Sequence, residues 1–163
     1  MLKPESLEAN VDNMWNNILP LYFKLKCLHG IEMQQRPWPG VTKTNPDFTI
    51  QYIRNIRNRG LIKVVLIEDK RVKDEASPAV WEDAVDQVTQ VMKVARASQF
   101  QPGLVEFMYA IVTVGRWSRF YELRPHEQQQ RDYATTGGKP LEFRKHEDQI
   151  DAALIELINK TSS

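Results

Sequence analysis

The chain has 163 residues, 42% hydrophobic and 26% charged, the balance of a globular protein with enough length for one domain and a buried core. The 22 Lys and Arg nearly cancel the 21 Asp and Glu, so net charge selects no class of partner. No apolar run approaches the ~20 residues of a membrane span, and Cys27, the only cysteine, excludes an intrachain disulfide and points to an intracellular, reducing compartment.

The opening segment, Met1-Leu-Lys-Pro-Glu-Ser6, lacks the apolar core of a signal peptide. Leu7, Val11, Met14, Trp15 and Ile18 recur at helical spacing and predict a helix over 5–19, which Pro20 is expected to kink or end. A short second helix is expected over 21–29, stopped at Gly30. Pro37 and Pro39-Gly40 make 32–45 mostly loop, with room for a short edge strand; Trp38 in that loop reads as an interface residue or a lid. Strands follow at about 47–54 and 61–70, joined by the basic turn Arg57-Asn58-Arg59-Gly60.

A third helix is predicted over 78–98. Ser77 suits its N-cap, Pro78 its first turn, Glu82 and Asp83 its positive end, and Lys93 and Arg96 its other end. Pro102-Gly103 breaks the chain before a strong strand at 105–114; Gly115-Arg116 turns it, and Trp117–Leu123 returns. The polar stretch 124–144, with His126 and Gly137-Gly138, is expected as a mobile loop or insertion. A last helix over 145–160 gathers Ile150, Ala153, Leu154, Leu157 and Ile158 on one face. This order predicts an α/β fold, a central mixed sheet covered by helices.

The two central strands carry the chemistry. Pro46-Asp47 opens the first, and Glu68-Asp69-Lys70 closes the second. If they pair, Asp47, Glu68 and Lys70 meet at one rim. Two carboxylates and an ammonium there suit a divalent-metal phosphodiesterase, with Mg²⁺ or Mn²⁺ on the acids and the lysine at the attacking water. Strand alternation puts Glu68 and Lys70 on the face of Ile62, Val64 and Leu66, while Asp69 points the other way with Val65 and Ile67. Solvated charges at a strand end are the plainer reading of Glu68–Lys70 alone; Pro46-Asp47 tips the balance.

On the following helix Val80, Ala84, Gln87, Val91 and Val94 form one row, whose single polar member, Gln87, needs a hydrogen-bonding task such as the lysine, a water or a phosphate. Gln90 lies toward the polar side. In the first helix Glu8 flanks the apolar stripe as a candidate third carboxylate, with Glu5 and Asp12 competing. Arg54, Arg57, Arg59, Lys63, Lys70, Arg71 and Lys73 face only Glu68 and Asp69 within 54–73, a local positive field for a phosphate backbone, to which Arg116 and Arg119 add. His29, His126 and His146 lack metal-ligand spacing, Cys27 has no evident base, and Gly137-Gly138 lacks the context of a P-loop.

Taken together, Pro46-Asp47, Glu68-Asp69-Lys70, the helix segment Ala84-Val-Asp-Gln-Val88 and the hairpin Ala110–Tyr121 resemble the PD-(D/E)xK phosphodiesterase superfamily, the restriction-endonuclease-like nucleases, including the domains abundant in fungal genomes. The resemblance covers about residues 5–123 of a single domain. It implies an α-β-β-β-α-β core around a mixed sheet and a metal-dependent nuclease acting on nucleic acid, DNA ahead of RNA, without a membrane. Asp47 and Glu68 would be metal ligands with the Asp69 backbone carbonyl and Glu8, Lys70 and Gln87 would complete the catalytic set, and a homodimer is admitted. The alternative is a catalytically silent nuclease-like domain that binds nucleic acid or protein. A purely structural domain would instead show a Glu68–Lys70 ion pair and no cleft.

Overall fold

In a computed structural model, residues 8–24, 29–33, 47–55, 60–98 and 107–161 are described. Helix α1 (Glu8–Tyr22) leads into strand β1 (His29–Met33), followed by β2 (Phe48–Asn55), β3 (Gly60–Lys70), helix α2 (Pro78–Ser98), β4 (Met108–Val114), β5 (Trp117–Leu123), the short strands β6 (Arg131–Asp132) and β7 (Leu141–Glu142), and helix α3 (Glu147–Thr161). The strands form one mixed sheet in the order β1-β2-β3-β4-β5-β6, with β7 also on β5. β3 and β4 run parallel across the α2 crossover; the other pairs are antiparallel. Three helices flank this α/β sheet.

Strand alternation divides the core in two. Val65 and Ile67 of β3, Tyr109 and Ile111 of β4 and Phe120 of β5 pack under α1 and α3, against Val11, Trp15, Leu19, Leu154 and Leu157. Leu66, Ala110, Val112, Tyr121 and Leu123 face the other way and pack under α2, against Ala84, Val88, Val91, Met92 and Ala95. Each helix therefore covers one parity of β3, and the polar residues that end β3 inherit that division.

α2 covers the expected span. The Val80 N–H donates to Ser77 Oγ at 3.4 Å, and Trp81 Nε1 donates to the Glu75 carbonyl at 3.0 Å, tying the helix start to the turn after β3. Its first turn carries no acid; Glu82 and Asp83 follow it. The β4–β5 turn depends on Gly115, whose φ is +60° and whose absent Cβ would lie 2.7 Å from Val72 Cα. Its N–H donates to the Lys70 carbonyl at 3.0 Å, linking the hairpin to the end of β3.

The sequence expectation differs from the fold at three places. Pro20 does not end α1. Phe23 N–H donates to Leu19 O at 2.9 Å beyond it, and Asn16 and Pro20 lie on the exposed face, where the freed Asn16 carbonyl can meet water. The short helix at 21–29 is not formed as expected: residues 21–22 complete α1, 25–28 lie outside the described residues, and Gly30 sits inside β1, paired with Gln51. Pairing with β2 and burial of His29 against Phe23 and Thr161 override the local preference there. The stretch 124–144 is pinned to the domain: Tyr133 is buried, its N–H donates to Phe120 O at 2.9 Å, and β6 and β7 both pair with β5.

Candidate metal and catalytic site

The polar end of β3 projects to both faces of the sheet. On the α2 face, Glu68 is 5% exposed and continues the stripe begun by Leu66. Lys70 Nζ donates to Glu68 Oε1 at 2.6 Å and to Gln87 Oε1 at 3.1 Å. Gln87 Nε2 in turn donates to Asp83 Oδ2 at 2.6 Å, which fixes the amide orientation. The ammonium is thus held between a carboxylate and an oriented amide oxygen at the rim of a buried face, its side chain 18% exposed.

On the α1 face, Asp69 is 0% exposed. It stands opposite Thr113 of β4, which stands opposite Ser118 of β5, so a polar row crosses the three strands beyond the apolar row Ile67–Ile111–Phe120. Trp15 of α1 lies over this row: its Nε1 donates to Thr113 Oγ1 at 2.8 Å, and Thr113 and Ser118 share a hydrogen bond of 3.0 Å. One helical turn before Trp15, Asp12 approaches the same place. Asp47, just before β2, approaches from the adjacent strand and accepts a 2.6 Å hydrogen bond at Oδ2 from the Asp69 N–H.

Asp12, Asp47 and Asp69 each offer a carboxylate oxygen, all within 4.8 Å of one another; the first two are half-buried. Among the described residues neither oxygen of Asp69 has a partner in hydrogen-bond geometry. Burial, reinforced by Asp47 and Asp12 and weakly by Glu68, pushes the Asp69 carboxyl well above the ordinary carboxylate range. The nearby Thr113 hydroxyl, which accepts from Trp15 and pairs with Ser118, opposes that rise. An all-oxygen, negatively charged set of this span suits a hard divalent cation.

Asp47, Glu68, Asp69, Lys70 and Gln87 therefore gather around the end of β3, with Asp47 and the Asp69 side chain toward α1 and Glu68, Lys70 and Gln87 toward α2. Glu68 is not a member of the three-carboxylate group. The Glu8 side chain, Glu5, Trp38, Cys27, Arg57, Arg59 and the side chain of Arg54 lie outside the described residues. Arg71 and Lys73 are exposed immediately after β3. Arg116 is bound within the fold: Nε and Nη2 donate to the two oxygens of Glu75 at 3.0 and 2.9 Å. Arg119 Nη2 bonds Asp132 and the Gly138 carbonyl, and its guanidinium lies 5.5 Å from the Tyr121 ring centroid.

Sequence reasoning assigned Asp69 a backbone role and left its side chain without one. The signal was present: an acid that continues the Val65–Ile67 stripe must be buried, and Asp12 lies one turn from Trp15 on the packed face of α1. A groove of about 500 Å³ lies between α1 and the residues at 116 and 142–144, bordered by Asn10, Asn13, Asn17, Arg116 and Arg144 and by none of the residues gathered at the end of β3. Among the described residues, no helix is long and apolar enough to cross a membrane. No family model, curated protein or solved structure matches the chain.

Proposed function

We propose that the chain is a divalent-metal-dependent phosphodiesterase that hydrolyses nucleic acid. The observation that carries this reading is the convergence at one end of β3: Asp47 bonded to the Asp69 N–H, and Lys70 held by Glu68 and Gln87. The order of elements, α1, three antiparallel strands, α2 and then β4 parallel to β3, supports a restriction-endonuclease-like core. Asp47, with Asp12 and Asp69 beside it, would hold Mg²⁺ or Mn²⁺. When bound, the metal would polarise the scissile phosphate and favour ionisation of water.

The protein's own part is then electrostatic and positional. Lys70 presents a fixed ammonium where negative charge grows on the phosphate oxygens, and its preorganisation by Glu68 and Gln87 spares the cost of ordering it during the reaction. Arg71 and Lys73 extend positive charge from the strand end along a backbone without reading bases. Asp47→Ala, Glu68→Ala and Lys70→Ala are each expected to abolish metal-dependent cleavage of labelled single- and double-stranded DNA and RNA. Their circular dichroism should remain that of the wild type. Wild-type cutting by all three would remove the assignment.

A second reading, a nuclease-like domain that binds without cutting, rests on one specific observation, which is also the mark expected of a purely structural domain. The Glu68–Lys70 ion pair, 2.6 Å long, engages the two groups that catalysis would use. A folded wild type that cuts none of the four substrates with Mn²⁺ or Mg²⁺ would select this reading.

A further inference from the structure

We infer that Asp12, Asp47 and Asp69 form a side-chain binding site for one hard divalent cation of the Mg²⁺, Mn²⁺ or Ca²⁺ type, on the α1 face of the sheet. The resemblance gives Asp69 only a backbone carbonyl and pairs Asp47 with Glu68. The geometry points to a different set, drawn from three separate elements.

Three observations carry it. The first is distance. Ligands across an octahedral ion stand about 4.2 Å apart for Mg²⁺ and about 4.6–5.2 Å for Ca²⁺. The three carboxylates offer oxygens all within 4.8 Å of one another, so they can close around such an ion with little movement.

The second is Asp69 itself. It is fully buried, aimed into the group, and among the described residues has no partner in hydrogen-bond geometry for either oxygen. Buried carboxylates are normally satisfied, and one that is not marks a place where something else supplies the contact. Among the described residues the one hydroxyl beside it, Thr113, accepts from Trp15 and shares a hydrogen bond with Ser118, so it offers at most one donor to the two oxygens of Asp69. The nearby ammonium, Lys70, is bonded to Glu68 and Gln87 on the opposite face of the strand.

The third is rigidity. Asp47 is fixed by the Asp69 N–H, Asp69 lies on a central strand, and Asp12 projects from a helix anchored by the buried Val11 and Trp15. Ligands on paired strands and an anchored helix hold their geometry better than ligands on loops. The donor set has only oxygens, which selects hard cations over zinc or copper.

The site shares Asp47 with the catalytic reading but does not require catalysis. Its test reads binding, so a chain that binds Mn²⁺ without cutting would remove the nuclease and leave the cation site standing. The experiment is calorimetric titration of Mn²⁺ into the chelator-treated full chain, as wild type, Asp12→Asn, Asp69→Asn and Glu68→Gln, with circular dichroism on each. The expected result is one-site binding by the wild type, weakened at least tenfold by Asp12→Asn and by Asp69→Asn and changed less than threefold by Glu68→Gln. If Asp69→Asn fails to fold, the half-buried Asp12→Asn decides alone. Absence of Mn²⁺ binding by the folded wild type, wild-type affinity in the folded aspartate variants, or loss confined to Glu68→Gln would overturn the proposal.

Discussion

The two faces of β3 end in opposite ways. Toward α2, Glu68 pairs with Lys70, and Gln87 gives the ammonium a further contact. Toward α1, one residue away along the same strand, Asp69 is buried beside the carboxylates of Asp12 and Asp47. The difference arises from the pleat alone: three consecutive residues cannot share a side, so a Glu-Asp-Lys run must split its charges across the sheet. One face becomes self-sufficient, and the other accumulates negative charge.

The contrast can be broken most severely from the α1 side. Trp15 is fully buried and covers the Asp69–Thr113–Ser118 row. Trp15→Ala removes that cover and the donor to Thr113, and should cost about 3–5 kcal/mol in urea unfolding. A loss below about 1 kcal/mol would mean that α1 does not seal this face.

Asp69→Asn sharpens the comparison in the other direction. With its folded-state pKa above the unfolded value, Asp69 contributes stability that is whole below the unfolded carboxylate pKa of about 3.9 and is lost as pH rises through the raised value. At neutral pH without a cation the wild type therefore bears the cost of a buried charge or of holding its proton. Asp12 on α1, Asp47 before β2 and Glu68 on β3 are the groups that make it worse. Asp69→Asn should stabilise the metal-free protein by about 1–3 kcal/mol at pH 7, with the gain vanishing toward pH 3. Destabilisation at pH 7 that persists at pH 4 would show that Asp69 is satisfied in the fold.

On the α2 face the expected effects on stability are smaller. Gln87→Leu removes one of the contacts to Lys70 and the bond to Asp83 on an otherwise apolar helix row. It should lower cleavage about tenfold, by loosening the lysine, while shifting stability by less than about 1 kcal/mol. Unchanged turnover would confine Gln87 to packing.

How far the sequence carried can be read from the same residues. β2, β3, α2, β4 and β5 were legible because their apolar periods, Ser77-Pro78 and Gly115 all speak locally. The face assignment of Glu68 and Lys70 followed from alternation, and the lysine is one of the three tasks that helix spacing offered Gln87. β1 was not legible, since only pairing with β2 makes His29–Met33 a strand. Tyr133 gave no sign that it enters the core, because its neighbours are polar and its partners come from β4 and β5. The burial of Asp69 and the place of Asp12 one turn from Trp15 were readable locally, but their union with Asp47 depends on where α1 crosses the sheet, which no local pattern specifies.

The measurement that bears most directly on this division is made on one preparation of Lys70→Ala, assayed for cleavage of labelled DNA and titrated with Mn²⁺ in parallel. The account predicts that cutting is lost while Mn²⁺ binds as tightly as in the wild type or more so, since the cation is held on the other face and a nearby positive charge has been removed. Cleavage at the wild-type rate, or Mn²⁺ binding lost together with cleavage in a folded variant, would contradict it.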